Sequence, residues 1–447
     1  MANKERLIDE LYAEDAERAD AIVFGRRMDV SRRGFLGGAG LAAMSAAVGG
    51  TIVHHAHMPG GLIPAAFAQD VKKDAPPPAP PKPAGPWKLN FPGKDSGLVV
   101  LGDRPLVAET PEHLLDDDTT PTSKFFIRNN GTPPSAPQNP DAWTLTIDGE
   151  VNKPLEIRLG DLKKRTPART YRMVLECGGN GRAFFTPQAR GNQWTNGGAG
   201  CAEWTGYPLA SVLRTAGVKS SAVYTANYGT DVHLSGDPKR QALSRGVPMA
   251  KAMAEHSLLV WAMNGQPLLP QHGFPLRLIV PGWYGMASVK WLKRIEALAK
   301  PYDGFQQVVA YQYRSQPDGP RTPITHMRVK SLMVPPGVPD WYTRQRLVDA
   351  GAVVLTGRAW SGGGVPISKV EVGIDGQWKP AELDPPLGRF AWRGWRCDWN
   401  AEPGEHELAC RATDADGEAQ PLETRWDAGG FGNNAVHKMH VMVRAKP

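Results

Sequence analysis

Leu175-Glu176-Cys177-Gly178-Gly179-Asn180-Gly181-Arg182 is the most informative stretch of this 447-residue sequence. A cysteine among glycines can bring its sulfur close to a bulky group, because glycine adds no side chain to the turn. The nearby arginine favours the thiolate over the thiol, and a thiolate is a soft metal ligand. Composition alone still favours the simpler alternative, a buried or reactive cysteine that holds no metal.

A second stretch shifts that balance towards a ligand site. His272-Gly273-Phe274-Pro275-Leu276-Arg277 is followed by Pro281-Gly282-Trp283-Tyr284-Gly285-Met286-Ala287-Ser288-Val289-Lys290-Trp291. Histidine, arginine, serine and lysine stand there among glycines at loop-like positions after a strand. Such side chains are donors suited to an anionic, phosphate-bearing ligand.

Composition excludes several other classes of protein. The sequence holds 52 Lys and Arg against 45 Asp and Glu, a net charge of +7, without a long basic run, so nucleic acid is a poor candidate partner. Its four cysteines form neither a CxxC nor a CxxCH pair. A disulfide scaffold, a zinc ribbon, a covalently attached haem and an iron–sulfur cluster are therefore unsupported.

The first 68 residues are predicted to be a targeting segment. Ser31-Arg32-Arg33-Gly34-Phe35-Leu36 leads into a weakly apolar run at 37–53, and Ala66-Phe67-Ala68 offers a small-residue cleavage site. This order predicts a twin-arginine signal peptide over 1–68 and a periplasmic protein. The alternative is a retained amino-terminal anchor, but the run is short and glycine-rich for a membrane span.

A proline-rich part and a mixed domain follow the predicted signal. Residues 69–118 are predicted to be a linker and amino-terminal extension, since residues 75–86 contain seven prolines. Residues 119–322 alternate apolar runs such as 276–280 with helix-like stretches at 208–216 and 247–255, which predicts a mixed α/β domain.

The last part, residues 323–447, has the pattern of short strands. Residues 369–374 alternate strictly before the hairpin turn pair Asp375-Gly376, and residues 438–443 alternate again. This pattern predicts an all-β, immunoglobulin-like sandwich. The predicted fold class is therefore α+β, a mixed α/β domain followed by a β-sandwich.

Taken together, these motifs resemble the sulfite oxidase family of molybdopterin oxidoreductases, in its exported bacterial sulfite dehydrogenase form. The resemblance covers most of the chain after the predicted signal. It is carried by Phe125-Phe126-Ile127-Arg128-Asn129-Asn130, the Cys177 stretch, residues 194–204, the His272 to Trp291 run and residues 357–364. It implies a molybdopterin catalytic domain over 119–322 and a dimerisation domain over 323–447.

The resemblance also implies roles for individual residues. Cys177 would be the one protein ligand of molybdenum, Arg182 would face the substrate pocket, and Tyr302 would be the pocket tyrosine, with Arg128 also among the catalytic residues. The implied cofactor-binding set is Arg128, Asn129, Asn130, Cys177, His272, Arg277, Ser288 and Lys290.

The implied reaction is the molybdenum-dependent oxidation of sulfite to sulfate. Because this chain has no haem or iron–sulfur motif, electrons are expected to pass to an external acceptor such as a c-type cytochrome, with direct transfer to oxygen as a lesser alternative. The family's sandwich implies a homodimer.

Two departures from the family pattern bear on the substrate. Asn130 stands where vertebrate relatives carry a histidine, and Gly429 stands where they carry a substrate-binding arginine. Both departures remove cationic character from the predicted substrate pocket. A sulfane dehydrogenase-like subunit of a sulfur-oxidation system therefore stays an alternative to a sulfite dehydrogenase. A non-catalytic exported binding protein of the same fold is a further alternative. The remaining cysteines indicate structural roles, with a disulfide between Cys397 and Cys410 left open.

Overall fold

The computed structural model describes residues 91–445, except 238–239, 317, 341–342 and 344. The predicted signal at 1–68 and the proline-rich stretch at 75–86 lie outside these residues. Within the described ranges, no helix is both long and apolar enough to cross a membrane.

The first part of the described chain combines sheets with short helices. Its elements in chain order are β1 (Val99–Asp103), β2 (Leu106–Glu109), β3 (Ile127–Arg128), β4 (Thr144–Gly149), β5 (Leu155–Arg158), α1 (Leu159–Lys164), β6 (Arg169–Glu176), β7 (Ala199–Pro208), α2 (Leu209–Ala216), β8 (Tyr224–Gly229), β9 (Ser244–Pro248), α3 (Met249–Ala252), β10 (Leu258–Met263), β11 (Gln266–Pro267), β12 (Arg277–Ile279), β13 (Leu292–Leu298), β14 (Gln312–Tyr313) and β15 (Thr322–Pro323).

Two five-stranded sheets form the body of this first part. One has the order β11-β10-β7-β6 with β12 also paired to β10, and the other has the order β5-β4-β13-β8-β9. The helix α2 begins directly after β7 and ends at Gly217, whose φ of +64° suits the left-handed cap of a helix. The helix expected over 247–255 is shorter in the structure, where α3 covers only Met249–Ala252. It begins later because β9 stays paired with β8 as far as Pro248.

The second part consists of strands. They are β16 (Lys330–Met333), β17 (Val338–Pro339), β18 (Arg346–Asp349), β19 (Gly351–Trp360), β20 (Ile367–Ile374), β21 (Gln377–Pro380), β22 (Glu382–Leu383), β23 (Arg393–Ala401), β24 (Gly404–Asp414) and β25 (His437–Arg444).

These strands form a four-stranded sheet, β16-β19-β23-β22, and a six-stranded sheet, β17-β18-β25-β24-β20-β21, which share one hydrophobic core. The predicted turn joins β20 to β21, where Asp375 and Gly376 both have positive φ, +49° and +80°. Cys397 and Cys410 lie on strands of different sheets, and both thiols are free. The α+β fold class predicted from the sequence is confirmed.

Candidate active site

The Cys177 turn begins where β6 ends. Its backbone is fixed by a hydrogen bond from the Cys177 N–H to the Gly198 carbonyl at 2.8 Å and by one from the Asn180 N–H to the Cys177 carbonyl at 2.9 Å. A Cβ atom at Gly178 would lie 2.7 Å from Cε of Met286. The absence of a side chain there lets the turn approach the loop that carries the basic residues.

Cys177 lines a cavity of about 60 Å³ that is partly open to solvent. The lining combines apolar and aromatic residues with hydrogen-bond donors. The apolar and aromatic residues are Phe125, Phe126, Leu175, Leu243, Met286 and Tyr311, and the donor residues are Arg128, Asn130, Gln271, His272, Arg277, Ser288 and Lys290. Sequence motifs some 160 residues apart therefore meet at one cavity.

Lys290 connects the Arg128 segment with the Gln271 segment of the lining. Its Nζ donates to the carbonyls of Arg128 and Gln271, at 2.9 Å each, and to Oδ1 of Asn129. Asn129 is fully buried, and its amide nitrogen in turn donates to Oε1 of Gln271. Asn129 therefore lies behind the cavity wall and fixes the side chains that form it.

Arg277 holds the backbone of the basic loop. Its guanidinium donates to the carbonyl of His272 at 2.9 Å and to that of Ser288 at 3.1 Å. The Ser288 hydroxyl accepts a hydrogen bond of 3.1 Å from the Val280 N–H. The buried Nε of Arg277 has no hydrogen-bond partner within the described part of the chain. An unsatisfied buried donor beside a cavity is suited to a ligand acceptor.

The cavity concentrates positive charge. Burial lowers the pKa of Arg277 to about 9, and burial followed by the charge of Arg277 lowers the pKa of Lys290. Burial and then Lys94, Lys290 and Arg277 hold the pKa of His272 well below its usual range, so its ring is neutral. Burial raises the pKa of Asp231, although Lys290 opposes that rise. An anionic ligand would offset the cost of burying these cations.

Arg182 is not among the residues that line the cavity. It packs against Gly179 of the Cys177 turn and is held there by the chain segment that follows β24. Its Nε donates to the carbonyl of Gly430 at 3.1 Å and its Nη2 to that of Gly429 at 3.3 Å, while Nη1 donates to the carbonyl of Asn192 at 3.1 Å. The guanidinium carbon lies 4.8 Å from the centre of the Phe431 ring. The side chain is 7% exposed, and Cys177 and Arg128 are among the charges that act on it.

The structure does not place Tyr302 among the residues that line the cavity, contrary to the sequence-based assignment. Its hydroxyl is 2.6 Å from that of Ser244, on β9. Tyr311 lines the cavity instead, and its hydroxyl accepts from Nδ2 of Asn130 at 2.8 Å and lies 3.5 Å from Nη2 of Arg128. The π-helical turn Gln306–Ala310 carries the chain from one tyrosine to the other.

Three further polar groups were not found from the sequence. Gln271 and Tyr311 line the cavity, and the carboxylate of Asp231 acts electrostatically on Lys290. Asp231 is held near Arg128 because Thr132 and Val232 form a backbone pair with hydrogen bonds of 2.8 and 3.0 Å. Asp231 stands two residues after the end of β8, and an acidic residue just past a strand was the signal that the sequence offered. Tyr311 offered no such signal.

Two domain families match the chain. Residues 131–306 match the oxidoreductase molybdopterin binding domain, and residues 321–444 match the Mo-co oxidoreductase dimerisation domain. The cavity's buried cations, its unsatisfied Arg277 donor and its cysteine fit an anionic cofactor with a thiophilic metal. The fold and the site therefore define a molybdopterin-dependent oxidoreductase, as the sequence predicted.

Comparison with known proteins narrows the class. The chain is 32% identical over 392 residues to the mitochondrial sulfite oxidase of Rattus norvegicus, covering 82% of this chain and 69% of that protein. It is 29% identical to nitrate reductase [NADH] 1 of Arabidopsis thaliana, covering 78% of this chain and 41% of that protein. The crystal structure of the sulfane dehydrogenase SoxCD from Paracoccus pantotrophus has a TM-score of 0.65 at 27% identity, over 88% of this chain and 93% of that chain. The chain belongs to the sulfite oxidase family.

Proposed function

We propose that this protein oxidises sulfite to sulfate and passes the electrons to an external acceptor, such as a c-type cytochrome. Sulfite and water give sulfate, two protons and two electrons, so an acceptor is required. The rat relative, a sulfite oxidase, supports the substrate. The absence of a CxxCH pair from the sequence supports an acceptor on another chain.

The residues around the cavity divide into a metal ligand and a cofactor-binding set. Cys177 is the cysteine that lines the cavity, and it is the proposed ligand of molybdenum. The proposed hosts of the pterin and its phosphate are Arg128, Asn130, His272, Arg277, Ser288 and Lys290. Asn129, which the sequence pattern also placed in this set, lies behind the wall and holds Lys290 and Gln271 in place. When bound, the molybdenum cofactor supplies oxygen-atom transfer to sulfur, chemistry that no side chain performs.

The observation that carries the substrate proposal is the environment of Arg182. Within the part of the chain that the structure describes, this buried guanidinium donates only to backbone carbonyls, those of Asn192, Gly429 and Gly430. It forms no salt bridge among the described residues, and the Asp427 carboxylate acts on its charge only through space. An arginine in this state attracts a small oxyanion, because its planar fork donates paired hydrogen bonds and stays charged.

Tyr311 is the proposed donor to a substrate oxygen. The contacts of its hydroxyl with Asn130 and Arg128 are ones in which the hydroxyl accepts. The phenolic hydrogen therefore remains available to donate towards the cavity that Tyr311 lines. We assign to Tyr311 the role that the sequence pattern gave to Tyr302.

A second candidate function is sulfane dehydrogenation of sulfur carried on a partner protein. The observation that favours it is Gly429, where a Cβ atom would lie 2.6 Å from the Phe431 ring, so this backbone admits no arginine side chain without moving. Asn130, also uncharged, donates to Tyr311. The resemblance to SoxCD points the same way.

An anaerobic assay separates the candidates. Molybdenum-loaded protein is mixed with sulfite or thiosulfate, and the reduction of a c-type cytochrome or a redox dye reports electron transfer; methionine sulfoxide, which takes up electrons, is tested with a reduced dye. The proposal expects reduction of the acceptor with sulfite as the preferred donor. Turnover of thiosulfate or protein-bound sulfane sulfur without sulfite turnover would select the second candidate. Native-host protein that holds no molybdenum would support a non-catalytic binding protein.

Export and assembly complete the proposal. We infer that residues 1–68 direct the protein to the periplasm by the twin-arginine route, supported by the Arg32-Arg33 pair. Replacement of both arginines by lysine should keep the precursor in the cytoplasm, and undiminished export would refute the route. The match to a dimerisation domain supports a homodimer, which sedimentation analysis would test.

A further inference from the structure

Lys94 lies just before the first strand, outside both matched domain ranges. Its segment is held against the first domain by specific contacts. The Asp95 N–H donates to the Ser123 carbonyl at 3.0 Å. Gly93 has a φ of +78°, and a Cβ atom there would lie 3.2 Å from the Leu269 side chain. The position of Lys94 is therefore fixed rather than left to a loose extension.

The Lys94 ammonium uses all three of its donors inside the protein. Its Nζ lies 2.5 Å from the carbonyls of Thr122 and Phe125. The third neighbour is Nε2 of His272, at 3.1 Å. When Lys94 is charged its ammonium has no acceptor, so Nε2 must accept this hydrogen bond, which puts the hydrogen of the neutral His272 ring on Nδ1.

This contact reaches the cofactor cavity, because His272 is part of its lining. Burial lowers the pKa of Lys94 to about 7, with Asp95 opposing that shift. Among the charged neighbours of His272, Lys94 lowers the pKa of the ring most, more than Lys290 or Arg277 does. An anionic ligand beside His272 would raise the pKa of Lys94 again and stabilise its charged form.

We propose that Lys94 is a positioning residue of the molybdopterin site, which fixes the tautomer of His272 and adds a positive charge behind it. His272 then presents Nδ1–H as a donor to the anionic cofactor. The inference rests on the proposed contact between His272 and the cofactor. It does not depend on which sulfur compound the enzyme oxidises.

Cofactor retention tests the proposal without any turnover assay. Molybdenum and pterin per chain are followed over time after gel filtration for the wild type, Lys94→Gln, Lys94→Arg and the control Lys124→Gln. Lys124 is a matched control because it pairs with Asp117 near the surface. Lys94→Gln should lose cofactor about tenfold faster, since a charge-assisted hydrogen bond is removed. Lys94→Arg and Lys124→Gln should retain it.

Two measurements on cofactor-free protein separate positioning from folding. Apo Lys94→Gln should resist urea as well as the apo wild type, because the amide can still donate to the carbonyls and one buried charge is gone. The ¹⁵N shifts of His272, assigned with a His272→Gln variant, should report Nδ1–H. The proposal would be overturned if Lys94→Gln kept its cofactor as well as the wild type does. It would also be overturned if apo Lys94→Gln unfolded at lower urea concentration than the apo wild type, or if the His272 ring carried its hydrogen on Nε2.

Discussion

Trp360 of the second domain donates a hydrogen bond of 3.0 Å from its indole nitrogen to the carboxylate of Glu176, the residue directly before Cys177. The Lys330 ammonium lies 3.7 Å from the same carboxylate, and both side chains of this ion pair are almost fully buried. Asn180 also donates to Glu176, at 3.0 Å. Two strands of the sandwich, β16 and β19, therefore hold the end of the strand that leads to the cysteine.

Breaking this buried pair should destabilise the protein. Lys330→Met leaves the Glu176 carboxylate buried without its cation, which costs about 3 kcal/mol or more of the free energy of unfolding. Urea unfolding of the cofactor-free protein measures it. The double variant Lys330→Met, Glu176→Gln should recover part of the loss, because no buried charge remains. A single variant as stable as the wild type would refute this account.

Arg182→Met should raise the KM for sulfite more than it lowers cofactor content. Loss of a charged hydrogen-bond donor to the substrate corresponds to about a tenfold to hundredfold rise in KM. Steady-state kinetics and metal analysis of the same preparation provide both quantities. The Arg182 role would be contradicted by an unchanged KM, or by molybdenum loss in proportion to activity.

The two tyrosines should behave differently. Tyr311→Phe removes the hydroxyl that meets Asn130 and Arg128, and kcat/KM should fall about tenfold to hundredfold, as expected for a lost donor in the transition state. Tyr302→Phe removes a hydrogen bond to Ser244 away from the cavity lining, and it serves as the matched control. Equal losses in both variants would mean that Tyr302 also reaches the substrate.

Glu109 should make stability fall as the pH rises. Burial raises the pKa of this carboxyl from 4.5 to about 7, although hydrogen bonds from Thr195 oppose the shift. The folded protein therefore binds the proton more tightly than the unfolded chain. The resulting stabilisation is complete below pH 4.5 and is lost as the pH rises to about 7, a change of about 3 kcal/mol.

Urea unfolding of the wild type and Glu109→Gln across this pH range tests the linkage. The amide of Glu109→Gln cannot ionise, so the free energy of unfolding of this variant should lack this component of the pH dependence. Parallel pH profiles for the two proteins would show that Glu109 titrates normally in the folded state.

What the sequence could predict was local chemistry. The Cys177 stretch and the basic run from His272 to Lys290 each carry their signal in adjacent residues, and the structure brings both to one cavity. The turn at Asp375-Gly376 was predictable for the same reason, since turn geometry depends on neighbouring residues.

Contacts between distant segments could not be predicted in this way. Tyr302 lies in the stretch Pro301-Tyr302-Asp303-Gly304, which resembles the family pattern, and Tyr311 does not. Only the path of the chain between the two tyrosines shows that Tyr311 is the one that lines the cavity. The contact of Lys94 with His272 joins residues 178 positions apart. The Glu176–Lys330 pair likewise depends on how two domains pack, which no local pattern encodes.

We propose above all that Cys177 binds the molybdenum of the cofactor. X-ray absorption at the molybdenum edge, applied to loaded wild type and Cys177→Ser, counts the sulfur atoms around the metal. The account predicts that Cys177→Ser retains pterin and metal but has one sulfur neighbour fewer and no sulfite-dependent acceptor reduction. An unchanged sulfur shell in Cys177→Ser would contradict it.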